Sequence, residues 1–188
     1  MASYNPESDN LNNYKSLALA SLLFPAEEWI PIEANVWVAK SRLSQEKKEP
    51  KKWAREMTQV RILTSRGSVA YFLPERLVQG ESGSLCADLV LDGEVVEMKT
   101  ITGARATLGG KFKHGYKQGA LLLKDCAVTK KHSVFIRLLS DISIGSVKAK
   151  IAGELKNRHD GGSFICFFEK IGELCIWDYE ELRAIIGT

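Results

Sequence analysis

Hydrophobic and polar positions change period several times along the chain, and the changes predict a sequence of helices and strands. Tyr14 to Leu23 reads as a short helix ending before Pro25, preceded by a polar stretch, Met1 to about Asn13, expected to fray. Trp29-Ile30-Pro31-Ile32 and Asn35-Val36-Trp37-Val38-Ala39 read as extended or looped, and Leu43 to Lys52 as a mobile charged linker or basic arm, with Pro50 as a break or a first-turn residue. From Lys51 a helical spacing runs through Trp53, Met57, Val60, Ile62 and Leu63, with Gly67 as a stop before a strand Ser68 to Leu73. Two apolar runs follow, Leu85 to Leu91 and Glu94 to Lys99, joined only by Asp92-Gly93. That dipeptide favours a two-residue type I′ turn, so the runs predict a β-hairpin. A loop from Thr100 to Gly110, a helix from about Phe112 to Lys124, a strand Ser133 to Leu139 and a helix Val147 to Arg158 come next. Strands Ser163 to Phe168 and Glu173 to Trp177, linked through Lys170-Ile171-Gly172, and a closing helix from Tyr179 to Ile186 complete a mixed α/β pattern.

The hairpin carries chemistry. If Leu91 faces Glu94 across the turn, Asp88 is paired with Glu97, and directly opposed residues have Cβ atoms roughly 5 Å apart. The strand period of two puts Lys99 on the face of Glu97 and turns Val96 and Met98 away. Two carboxylates so close repel unless a proton, a lysine or a metal intervenes, and carboxylate oxygens with water suit Mg²⁺ or Mn²⁺. The alternative is a solvent-facing Glu-Lys strand with Asp88 paired elsewhere. Glu56 lies in the helical run beginning at Lys51, where it either points at this site or pairs with Lys52 four residues earlier.

Composition narrows the classes. At 188 residues and 45% hydrophobic, the chain can bury one substantial core with a short extension. No apolar run is long enough for a membrane span, and the N-terminus lacks a signal-peptide pattern, so the expected location of this form is the cytosol unless something else carries it out. Cysteines 86, 126, 166 and 175 have no Cys-x-x-Cys spacing, and with only three histidines a zinc site is disfavoured. The Thr/Gly-rich loop lacks the Lys-Ser/Thr ending of a phosphate loop, which disfavours ATP chemistry.

Net charge is only +3, but Lys40 to Arg66 holds nine basic residues against three acidic, and Lys111 to Lys131 six against Asp125 alone. Such clusters beside a carboxylate site point to a polyanion held by its phosphates, the alternative for either cluster alone being an ordinary solvated face. Arg105, Lys111, Lys113 and Lys117 are candidates to grip a backbone without reading bases, and His114 is either a spare candidate for proton transfer or a surface histidine with no catalytic task. In the helix after the loop the i,i+4 rule stacks Lys113 over Lys117 and His114 over Gln118, although Gly115 and Gly119 each cost about 1 kcal/mol against alanine there.

Asp88, Glu97-Met98-Lys99 and the Lys117-Gln118 helix together resemble the PD-(D/E)XK nuclease superfamily, most closely the C-terminal nuclease domains of contact-dependent growth inhibition and related bacterial toxins. The likeness covers roughly Lys51 to the C-terminus, with Ala87 standing where the family's name has proline. It implies a restriction-endonuclease-like core, a mixed central β-sheet with flanking helices, over residues 51–188, and leaves 1–50 as an extension or accessory helical segment. It also implies Asp88, Glu97 and the Met98 carbonyl as metal ligands, Lys99 as the residue that orients water or offsets charge, and Glu56 and Gln118 as further site residues. The activity implied is metal-dependent cleavage of DNA or RNA, tRNA included, by a toxin delivered as part of a larger protein to a target cytoplasm and met there by an immunity protein. The rival expectation is a non-catalytic nucleic-acid-binding or structural protein in which Asp88, Glu97 and Lys99 form a salt-bridge network.

Overall fold

A computed structural model describes residues 6–75, 87–102 and 106–185, with backbone only at 6–10, 45, 46 and 106. Leu85, Cys86 and Arg105, named above, lie outside the described residues. The fold is mixed α/β, with helices flanking multi-stranded sheet, and it divides into two compact units, Met1–Val95 and Val96–Thr188.

In the first unit, helix α1 (Pro6–Leu23) precedes strands β1 (Trp29–Glu33) and β2 (Val36–Ala39), a 3-10 turn (Lys40–Arg42), helices α2 (Gln45–Lys48) and α3 (Pro50–Thr64), and strands β3 (Ala70–Phe72) and β4 (Leu89–Leu91). The strands neighbour one another in chain order. β1 and β2 form an antiparallel hairpin, β2 runs parallel to β3, and β3 antiparallel to β4. Strand alternation sends Tyr71 and Phe72 to opposite faces. Tyr71 hydrogen-bonds Asn13 of α1 at 2.7 Å, while Phe72 meets Trp53 of α3 at 5.4 Å between ring centroids. Each face of β3 is therefore covered by its own helix, which explains why all three of its residues are buried.

The polar stretch expected to fray is instead helical from Pro6. The expected linker, Leu43 to Lys52, also folds, as the cap of the 3-10 turn, α2 and the first turn of α3, with Pro50 at the helix start where its missing N–H costs nothing. The Asp92-Gly93 turn has positive φ at both residues, 49° and 87°, as a type I′ turn requires. It is held from two sides: the Asp92 carboxylate accepts from Val69 N–H at 2.8 Å, and Gly93 N–H donates to Ser16 Oγ at 2.9 Å.

The division between units falls within β5 (Glu94–Ile101). The second unit continues with α4 (Ala106–Leu122), β6 (His132–Leu138), α5 (Ile144–Leu155), β7 (Ser163–Phe168), β8 (Glu173–Asp178) and α6 (Tyr179–Ala184). Its strands again neighbour in chain order, β6 parallel to β7 and β7 antiparallel to β8. Leu108, Phe112, Val134, Ile136, Val147, Ile151, Phe164 and Tyr179 form a core with at most traces of exposure. Helix α4 begins ahead of the expected position and takes in Gly109 and Gly110, because Leu108 and Phe112, four apart, extend its apolar stripe backwards.

Candidate functional site

The site residues expected from the sequence fall into two clusters, one in each unit. In the first unit Glu56 lies on the inner face of α3, 6% exposed. Its partner is Arg42, a residue the sequence reading passed over at the edge of a presumed linker. Arg42 Nη2 meets Glu56 Oε2 at 2.9 Å, and Arg42 Nη1 donates to the backbone carbonyls of Leu73 at 2.8 Å and Asp88 at 2.9 Å. Asp88 Oδ1 lies 3.9 Å from the same guanidinium. The Arg42 cation also stands over the Phe72 ring, 5.0 Å from its centroid. Burial pushes the Glu56 carboxyl above its ordinary pKa, aided by the Asp88 charge and opposed by Arg42 and Lys52. No local signal marks Arg42 in the sequence: its burial is set by Glu56, Leu73 and Asp88, all distant along the chain.

In the second unit β5 carries Glu97 and Lys99, and α4 lays Gln118 over them. Glu97 is 2% exposed. The Lys99 ammonium donates to Glu97 Oε1 and, at 3.0 Å, to Gln118 Oε1. Gln118 also hydrogen-bonds His114 one turn back; burial and the Lys99 charge outweigh this bond and lower the His114 pKa. The structure thus brings Glu97, Lys99, Gln118 and His114 together. Close approach of α4 depends on Gly115 and Gly119. A β-carbon at Gly115 would stand 3.0 Å from Val134 Cγ1 and 3.2 Å from Glu97 Cγ. The two glycines expected to weaken the helix are the residues that let it touch the sheet.

Lys111, Lys113, His114 and Lys117 lie on the exposed side of α4. Lys113 is already engaged with Glu154 of α5 at 3.0 Å, and Lys150 shares that carboxylate at 3.3 Å. The Glu97 carboxylate and the Met98 carbonyl belong to the second unit, Asp88 and Glu56 to the first.

A divalent ion is implied by the resemblance, and the donors can be judged for it by their chemistry. They are hard oxygens, with no thiol or imidazole among them, and Mg²⁺ typically takes one or two carboxylates and completes its shell with water and substrate phosphate. Donor type therefore fits Mg²⁺ or Mn²⁺. Among the described residues no group of three or more His, Cys, Asp or Glu side chains could hold a metal ion. Of the cysteines, Cys166 is buried in the core, where burial raises its thiol pKa, and Cys126 and Cys175 are half-buried and not disulfide-bonded.

Comparison with protein-family models, with curated proteins and with solved structures yields no match. No helix among the described residues is long and apolar enough to cross a membrane.

Proposed function

We propose that this chain is a divalent-metal-dependent endonuclease, acting on DNA or RNA from a restriction-endonuclease-like core. The observation that carries the reading is the Lys99 ammonium, mostly buried and shared between Glu97 of its own strand and Gln118 of α4. Replacing a buried ion pair by well-packed apolar residues is often neutral or stabilising, so such a pair is poor ground for stability. Chemistry is the better account of a lysine and a glutamate placed in a core. Through the resemblance alone, Asp88, Glu97 and the Met98 carbonyl are the candidate ligands of Mg²⁺ or Mn²⁺, an ion that when bound would supply a nucleophilic water at neutral pH and polarise a phosphate oxygen. Lys99 offsets negative charge growing at phosphorus, and Gln118 fixes the direction of the ammonium. His114, with its pKa lowered, is neutral at pH 7 and able to accept a proton. Lys111 and Lys117 would position the phosphate backbone, and Arg105 extends the same basic run in the sequence. Delivery as a toxin to a target cytoplasm, and an acidic immunity protein complementing the lysines of α4, belong to this reading through the resemblance alone.

A second reading has its own observation, and the contacts taken by themselves favour it. Lys99 is matched by Glu97, Arg42 by Glu56, and no three-ligand group occurs among the described residues. These are the contacts of a non-catalytic nucleic-acid-binding or structural protein, and they hold together with nothing added.

Incubating wild type, Asp88→Ala and Lys99→Ala with supercoiled DNA and total tRNA, in EDTA or in Mg²⁺, Mn²⁺ or Zn²⁺, separates the two. Cleavage by wild type only, dependent on Mg²⁺ or Mn²⁺, is expected and selects the polymer. Folded wild type that binds either polymer without cleaving it would establish the second reading.

A further inference from the structure

We infer that the outer face of α3, together with the end of α2, is a docking surface for duplex DNA, which it grips by the phosphates. The inference deepens the endonuclease reading, choosing between the polymers which that reading leaves open, and it rests on that reading. Nine basic residues lie between Lys40 and Arg66, and their contacts sort them. Four are engaged within the fold: Lys40 with Glu28, Arg42 with Glu56, Lys52 with Glu49 and Glu75, and Arg61 with Glu33. The other five, Lys47, Lys48, Lys51, Arg55 and Arg66, are exposed and make no ion pair among the described residues.

Helical period gathers those five. The inward face of α3 carries Glu56, Met57, Gln59, Val60 and Leu63, all buried. Glu56 is the helix's single acid, so turning it inward leaves the outer face positive, with nothing of opposite sign contributed by the helix itself. Lys51 and Arg55 stand one turn apart on that face. Lys47 and Lys48 end α2 just before it, and Arg66 follows the last turn. At 1.5 Å per residue, the row from Lys51 to Arg66 spans about 22 Å. A row of exposed, unneutralised cations complements a regular line of phosphates, and contacts of that kind position a polymer without reading its bases.

Two features choose the form of the polyanion. Proteins that hold single strands stack the bases on exposed aromatic rings. The one ring on α2 or α3 belongs to Trp53, which is turned in against Phe72 at 5.4 Å. Between duplexes, a helix about 10–12 Å across matches the roughly 12 Å major groove of B-form DNA, whereas the deep major groove of A-form RNA is too narrow to admit it.

The test is fluorescence anisotropy in EDTA across a salt series, with the full chain and three labelled probes of one sequence: a DNA duplex, its single strand and an RNA duplex. Wild type should bind the DNA duplex most tightly. Lys51→Gln/Arg55→Gln should bind it about tenfold more weakly and with a salt slope lower by about 2. Arg61→Gln should lower the slope by well under about 1, because Glu33 already holds that charge. A double variant with the wild-type slope, or wild type that binds the single strand or the RNA duplex as tightly as the DNA duplex, would overturn the inference and leave the endonuclease reading standing. Wild type that binds none of the three, with Mg²⁺ added or without, would end both. The wild-type preference among the probes decides the matter even if the double variant fails to fold.

Discussion

Gly119 of α4 lies against the His132 ring of β6 so closely that a β-carbon at position 119 would stand 2.6 Å from Cδ2 and 2.9 Å from Cβ. The ring cannot easily yield: His132 is fully buried, with Nδ1 held 3.1 Å from the Lys130 carbonyl and Tyr116 packed edge-on at 4.6 Å.

Gly119→Ala should therefore destabilise by about 1–3 kcal/mol through overpacking, although alanine alone favours a helix by about 1 kcal/mol. Gly110→Ala, with nothing within 4 Å of the added carbon, should show only the helix gain. Gly115→Ala falls between them and presses on Glu97, so on the endonuclease reading it should reduce cleavage more than its stability loss explains. Urea unfolding of the three variants, with cleavage assayed alongside, measures the contrast.

Arg42→Met should cost about 3–5 kcal/mol, because it leaves the Glu56 charge buried without its principal partner. Adding Glu56→Leu should recover part of that loss. A double-mutant cycle by chemical denaturation reads the coupling, and additive losses would contradict the pairing.

For nucleic-acid binding the exposed lysines of α4 should not be equivalent. Lys111→Ala and Lys117→Ala should each lower the salt slope of binding by about 1. Lys113→Ala should lower it less, since Glu154 already neutralises that charge at 3.0 Å. Affinities measured across a salt series distinguish these outcomes.

Glu154 ties α5 to α4. Its burial works to raise its pKa, but the hydrogen bonds and charges of Lys113 and Lys150 prevail and hold it below the ordinary value of 4.5. A carboxylate depressed in the folded state contributes stability above its unfolded pKa and loses it as pH falls through the folded one. Glu154→Gln should be less stable than wild type at pH 7, by less than about 1 kcal/mol for so exposed a pair of lysines. The difference should shrink below about pH 4, and thermal melts across pH would show it.

Short-range signals made the second half of the chain readable. Apolar runs opened by glycine gave β7 its observed limits and β8 its own within one residue, and an apolar run between charged and polar residues placed β6 as closely. Asp92-Gly93 named its own turn, since few other pairs take positive φ twice. What was missed depends on partners distant in sequence. β1 and β2 look ambiguous until β2 is seen to align with β3 more than thirty residues later. Arg42 looks like one more basic residue until Glu56, Leu73 and Asp88 converge on it. Of the expected site, the Glu97-Lys99 pair follows from strand period and the Gln118 contact from helix packing, whereas the acids of the first unit were legible as acids and not as partners of arginine.

The grip of Arg42 on the Leu73 and Asp88 carbonyls, together with the 3.0 Å bond from Leu73 N–H to Asp88 O, closes the chain at those two points. One guanidinium thus works as a clasp, holding the end of β3 and the start of β4 together from outside the ladder, so that the register of the two strands survives the loss of either backbone bond at their ends.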